Sequence, residues 1–420
     1  MSRFRAVAAV GFVALLTLLA PVTRAQPDAS CPDPVQCLRQ QLQSGEAQLG
    51  RADAVWGYLP SLLKALDVPV ESQVLVFSKT SLQVDEIGPK TPRAIYFNDD
   101  TAVAGVQGGR ITEILTSGAD GQIAFYSVEA APTARPQIDP ESSTCMGCHG
   151  SVNRWAGGMI VANFTILDDG APLIMRVDRL FDITDSTTPF DQRWGGWYVT
   201  GKHGALRHNG NVRLPPGSLE GPDTTDGLNV TDLSSRFDVT PYLAPTSDIV
   251  ALMTLEHQLG AMNRIWKLQA QQRDPLADGV KPATAADIDE SIEDLVAYLV
   301  GAREAPLSSP VTGVSGFTKT FEARGPRDGR GRGLRDFDLR TRLFRYPLSY
   351  TIYSRAFDRL SPALRQRIYA RLVEVLSGAD KSALYAGLPL EGRRAALEIL
   401  NATKPDFRAV QMRLTASPAP

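Results

Sequence analysis

The run Arg93-Ala94-Ile95-Tyr96-Phe97-Asn98-Asp99-Asp100-Thr101-Ala102-Val103-Ala104-Gly105-Val106-Gln107-Gly108-Gly109-Arg110-Ile111-Thr112-Glu113-Ile114-Leu115-Thr116 decides the first half of the chain. Short segments rich in Val, Ile, Tyr and Phe alternate with Asn98-Asp99-Asp100 and Gly108-Gly109, the residue types that reverse a backbone. Outward from this run, Gln73 to Ser78 precedes it, and Gln122 to Val128 follows the turn Asp120-Gly121 with the same character. Strands of this length joined by turns this tight pair antiparallel. Strand-like residues resume at Met159 to Leu167 and Pro172 to Val177, and Pro34 to Leu66 reads as partly helical, broken by Gly45 and Gly50.

From about Thr246 the period changes from two to that of a helix. Leu252, Leu255, Leu259, Met262 and Trp266 share one face of a helix starting at Asp248. Thr284 and Asp287 resemble a capping box for the next helix, whose core face is Ile288, Ile292, Leu295 and Leu299. Ser361-Pro362 opens a third, which Gly378 stops. The fold class is therefore α+β: a β-rich domain at 26–243, a mainly helical region at 244–413 and a disordered tail at 414–420, with no internal repeat.

Between the two strand groups, after Pro132, Pro136 and Pro140, lies Cys145-Met146-Gly147-Cys148-His149. CxxCH spacing lets two thiolates add to the vinyl groups of one haem while the adjacent imidazole reaches its iron. A half zinc site or a thioredoxin-type disulfide are the competing readings. The first needs two more soft ligands, and Cys31 and Cys37 are far upstream; the second wants the cysteines to open a helix, and Gly150, Trp155, Gly157 and Gly158 do not read as one. The motif is expected on a loop of the β-rich domain.

The N-terminus supports haem attachment. Arg3 and Arg5, the apolar stretch Ala6 to Ala20, and Thr23-Arg24-Ala25 read as a signal peptide at 1–25, so the chain is expected to be exported, into the periplasm of a bacterium, with no transmembrane anchor after processing. Cys31 lacks the lipobox context and is expected to pair with Cys37. A net charge of -2 argues against general nucleic-acid binding.

With His149 as proximal ligand, the other face of the iron decides function. His203, His208 and His257 are the remaining histidines. His203 and His208 follow Trp194-Gly195-Gly196-Trp197-Tyr198, where glycines permit close approach to a flat ligand and aromatics could wall it; a Gly-rich turn with core tryptophans explains the same residues. His257 lies opposite the Leu252/Leu259 face with Met253, Gly260 and Arg264, as either a haem-facing stripe or a solvated rear face. His208 is placed first, because Arg207 stands beside it and because a loop of the same domain can close over the iron. Met159, Met175, Met253 and Met262 are thioether candidates that also suit a core. Arg324, Arg327, Arg330, Arg332, Arg335, Arg340, Arg342 and Arg345 suit haem propionates or an acidic redox partner, or internal pairs with Asp328, Asp336 and Asp338.

The segments Ala94 to Asp100, Cys145 to His149, Trp194 to Gly204 and Arg342 to Pro347 together resemble a group of exported bacterial cytochrome c-like proteins with a single CxxCH, over most of the mature chain. The group carries no assigned reaction. The resemblance implies one covalent haem c on Cys145 and Cys148 with His149 on iron. In similar sequences a Met often follows the second histidine of the Trp/Gly segment; here that position is Asn209, which excludes a Met ligand there. The resulting expectation is an electron-carrying monohaem cytochrome with an unknown redox partner. A haem enzyme of peroxidase or oxygenase type, with Arg207 and His208 as distal acid–base groups, or a haem sensor, is the alternative.

Overall fold

The computed structural model describes residues 33–118, 121–141, 143–150, 158–173, 182–218, 224–273 and 282–416. The expected signal peptide, Cys31, Met175 and residues 417–420 lie outside these.

The chain is α+β. Helices α1 (Pro34–Ser44) and α2 (Leu59–Ala65) precede strands β1 (Val74–Val76), β2 (Arg93–Phe97), β3 (Thr101–Gly105), β4 (Ile111–Ser117), β5 (Ile123–Glu129) and β6 (Asp139–Glu141). Gly45 ends α1 in the left-handed conformation, φ 82°, as its sequence position predicts. Helix α3 (Ser143–His149) follows β6 directly, and then come β7 (Ala162–Asn163), β8 (Asp182–Ile183) and β9 (Trp197–Tyr198).

Strands β1 to β6 form an antiparallel meander in the order 6-5-4-3-2-1, with β9 added beside β1 through Leu75 opposite Tyr198. Register fixes the two faces, because alternate residues point opposite ways. Leu75, Ala94, Tyr96, Val103, Ile114, Tyr126 and Tyr198 pack with Trp56, Leu59 and Leu62 around α2. Val74, Val76, Phe97 and Trp197 point the other way, into a cluster shared with the helical region. The sequence reading did not anticipate β9, whose two residues sit among glycines.

Helix α4 (Ile249–Ala270) lies against that second face. Asp248 caps it: Oδ1 accepts from Val250 N–H at 2.8 Å and Ala251 N–H at 3.3 Å. The same carboxylate reaches far along the chain, Oδ2 accepting from Val314 N–H and Ser315 N–H at 2.8 Å each. Gly313 is required there, since an added Cβ would stand 2.5 Å from both carboxylate oxygens. The expected capping box of α5 (Ala285–Leu299) is present at Thr284 and Asp287. Helices α6 (Phe317–Glu322) and α7 (Arg355–Asp358) are short, and α8 (Pro362–Ser377) opens at Ser361 and stops at Gly378, φ 80°. Helices α9 (Leu390–Thr403) and α10 (Pro405–Ala416) complete the layer.

Three expectations are corrected. The predicted tail begins too early, because α10 continues past Leu414 to Ala416. The boundary at 243/244 marks a change of element type and not a gap in packing, since β1 and β2 share one apolar cluster with α4, α5 and α8. The rear of α4 is not solvated: His257, Met253 and Gly260 are as buried as Leu252 and Leu259. Among the described residues no helix is long and apolar enough to cross a membrane.

Candidate haem-attachment site

Cys145-Met146-Gly147-Cys148-His149 lies on helix α3, not on the expected loop. Gly147 inside so short a helix costs about 1 kcal/mol relative to alanine, and that cost together with the preceding prolines makes the segment read as a loop. Packing overrides it: the His149 ring rests on Phe125 of β5, centroids 4.8 Å apart. The helix places Cys145, Cys148 and His149 at offsets that share one face.

His149 Nδ1 is 2.8 Å from the Gly158 carbonyl, and Gly158 N–H donates back to His149 O at 2.9 Å. That contact fixes the tautomer with the proton on Nδ1, leaving Nε2 with its lone pair and no hydrogen-bond partner among the described residues. Burial lowers the His149 pKa, which favours the neutral, ligating form. Cys145 is half-buried and Cys148 exposed, and neither is in a disulfide, whereas Cys37 is disulfide-bonded. Burial, then Glu113 and Glu141, push the Cys145 thiol up to about 11. A thioredoxin-type nucleophile needs the opposite shift. Among the described residues no three His, Cys, Asp or Glu side chains are placed to hold a metal ion, so the zinc reading gains no ligands.

The sheet face that carries Phe125 also carries charge near α3. Arg93 of β2 and Glu113 of β4 point from this face and form an ion pair across β3. Both act electrostatically on Cys145 and His149. Arg93 Nε is buried without a hydrogen-bond partner among the described residues. Such an orphan donor is an exception that a ligand oxygen would remove.

The other histidines are built differently. His203 Nδ1 donates to Leu206 O at 2.9 Å, and its Nε2 accepts from Asn229 N–H at 2.8 Å. His208 Nδ1 accepts from Gly210 N–H at 3.0 Å, which leaves its Nε2 to donate to His203 Nε2 at 3.3 Å. Burial, then His203, lowers the His208 pKa to about 3. Every ring nitrogen of the pair is engaged, and burial favours the neutral form of His208. Arg207 points away to Thr224 Oγ1 at 3.0 Å.

His257 Nε2 lies 2.7 Å from Ser349 Oγ, its Nδ1 lies 3.4 Å from Ser186 Oγ, and its ring stacks on Tyr298 at 5.3 Å. A serine bonded to a histidine invites a nucleophile–base reading. Ser349 is instead a buried cap that accepts from Thr351 N–H, and it is 1% exposed. Gly260 does clear room, but for Tyr298, whose hydroxyl lies 2.1 Å from where a Cβ would stand. Arg264 pairs with Asp185 and Asp294 at 3.0 Å each and lies over the Tyr298 ring. The stripe that the sequence offered as either haem-facing or solvated is thus packed against its own chain.

The Trp/Gly segment has the same character. A Cβ on Gly195 would lie 2.0 Å from Phe164 O, and one on Gly201 2.3 Å from Ile249. Trp194 is buried against Phe190 and His208. Met159, Met253 and Met262 are buried core residues. The arginines are mostly paired internally, Arg324 with Asp67, Arg327 with Asp336, Arg330 and Arg332 with Glu398, Arg335 with Asp99 and Arg342 with Glu304. Arg345 lies over the Tyr346 ring, and Arg340 is exposed.

Arg93, Phe125, the Gly158 carbonyl and Asn263, which holds the residue after Gly158, belong to the site without having been read from the sequence. Arg93 sits in a strand pattern and Asn263 in a helical one, and no local spacing connects either to residues 145–149. No family model, curated protein or solved structure matches the chain.

Proposed function

We propose that the protein carries one haem c on Cys145 and Cys148, with His149 Nε2 as proximal iron ligand, and that it transfers electrons. The observation that carries this reading is the state of α3: two cysteines outside any disulfide and an imidazole share one helix face, and the imidazole has its Nδ1 proton committed to Gly158 O and, among the described residues, no partner for Nε2. Haem, when bound, supplies a one-electron Fe(III)/Fe(II) couple. The chain's own part is to fix His149 in one tautomer, to hold a carboxylate or propionate oxygen at the unpartnered Nε of Arg93, and to cover one side of the site with Phe125. The export expected from residues 1–25 places the chain where haem c is attached.

One observation favours a second reading in which the sixth position is open to a small molecule, as in a haem sensor or enzyme. The ring nitrogens of His203, His208 and His257 are all partnered, so none of them reaches iron without breaking a buried network.

Two measurements test these statements. Cys145→Ala combined with Cys148→Ala removes the haem-stained band from denaturing gels, and a band retained in that variant overturns haem attachment here. The spectrum of the reduced protein with carbon monoxide then separates the readings: rapid conversion to a CO adduct supports the open site, and an unchanged spectrum supports a six-coordinate carrier.

A further inference from the structure

Helix α4 reaches the segment after the CxxCH motif through the side chain of Asn263. Asn263 Oδ1 accepts from Met159 N–H at 2.8 Å, and Asn263 Nδ2 donates to Met159 O at 2.9 Å. The carboxamide therefore holds both backbone groups of the residue that follows Gly158. Gly158 has no side chain of its own to fix its carbonyl, and that carbonyl is the partner of His149 Nδ1. Two residues further on, Val161 O accepts from Thr184 N–H at 2.8 Å, so the segment is tied from a second direction beyond Asn263. The rest of α4 near Asn263 has partners elsewhere: Arg264 binds Asp185 and Asp294, and Gln269 donates to Ala356 O.

We infer that Asn263 is a positioning residue that sets the reduction potential of the site, an inference that rests on the haem reading proposed above. A proximal imidazole whose Nδ1–H is held by a carbonyl gains electron density and becomes a better donor to ferric iron, which lowers the potential. Asn263 keeps the Gly158 carbonyl in line for that bond. When the clamp is released the Gly158 peptide can turn, the bond lengthens, and the iron becomes easier to reduce by one electron.

The test uses the exported full-length protein bearing Asn263→Ala, with Gln269→Ala as a control from the same helix. Covalent haem is measured first as the pyridine haemochrome. Its absence from the unaltered protein overturns the haem reading and this inference with it. With haem present, Asn263→Ala should shift the redox equilibrium about tenfold towards the reduced form, about 59 mV for one electron, and should lower the iron–histidine stretching frequency. Gln269→Ala should change neither, even where both variants lose thermal stability. Unchanged potential and stretching frequency in Asn263→Ala with haem attached overturn the inference and leave the haem reading standing. Asn263→Ser, which keeps one hydroxyl for Met159, replaces alanine if that variant fails to fold and should shift the potential less in the same direction.

Discussion

His149 and the three other histidines occupy opposite kinds of environment. His149 lies half-buried on a short helix, with one nitrogen held by a backbone carbonyl and the other open among the described residues. His203, His208 and His257 lie within the core, 4% exposed or less, with every ring nitrogen in a hydrogen bond. Burial is costly for an imidazole unless both nitrogens are satisfied, and once they are, the residue is a structural link. An imidazole meant to bind metal keeps one nitrogen free and uses the other for orientation. The contrast teaches that residue type nominates a ligand, whereas the partner count of each ring nitrogen selects it.

The strongest challenge to this contrast is a crossed pair of substitutions. His257→Ala should cost about 2–4 kcal/mol, from the cavity and from the polar partners it strands, with no change in the haem spectrum. His149→Ala should do the reverse, changing the spectrum with a loss of roughly 1 kcal/mol or less from a half-buried site. Urea unfolding and absorption spectra on both variants measure this, and equal stability losses would erase the distinction.

Acid sharpens the contrast next. His208 and His257 have pKa values lowered to about 3, chiefly by burial, against an ordinary 6.5. His203 is lowered too. Below 6.5 the unfolded chain takes up protons that the fold refuses, so stability is complete above that pH and declines as pH falls towards 3. The slope is about 1.4 kcal/mol per pH unit for each histidine. Asp100 works against this: burial, then Asp99, raise its pKa to about 6, so its contribution is full below the ordinary carboxyl range and is lost as pH rises through 6. The histidines outnumber it, and the urea midpoint should fall from pH 7 to pH 4. A level profile would show that they are not held neutral.

A third test concerns what the glycine beside His257 accommodates. Gly260→Ala should cost about 1–3 kcal/mol through collision with the Tyr298 hydroxyl. Adding Tyr298→Phe removes that oxygen and should recover part of the loss, so the double variant should be more stable than the sum of the single effects. Strict additivity would place the clash elsewhere. The smallest effect is expected at the arginine run: Arg330→Ala breaks an exposed pair with Glu398 and should cost roughly 0.5 kcal/mol or less, with the haem spectrum unaltered.

Local signals in the sequence were read well. The turn residues Asn98-Asp99-Asp100 and Gly108-Gly109 gave the meander, and Asp248, Thr284, Ser361 and Gly378 gave the helix ends, because turns and caps act within a few residues. Strand β9 and helix α3 were missed because each is too short to carry a period and is held by distant partners, β1 in one case and Phe125 in the other. The thiols and His149 of the candidate site were legible from their spacing. Arg93 and Asn263 were not, since their roles arise only when β2 and α4 come together around residues 145–159. The role of Gly260, which makes room for the Tyr298 ring, was not legible, since Tyr298 is 38 residues further along the chain.

Asp248 joins the start of α4 to the backbone at Val314 and Ser315, the first of them 66 positions further along the chain. In terms of the order of folding, the meander closes through neighbouring hairpins and can form as soon as its own residues are available. The Oδ1 cap of α4 needs only Val250 and Ala251, whereas the Oδ2 bonds wait for the chain beyond Gly313, and closing a loop over that span is slow compared with a hairpin. The fully buried carboxylate of Asp248 thus joins two spans of very different loop-closure entropy, one oxygen serving its own helix and the other a segment brought in from far along the chain.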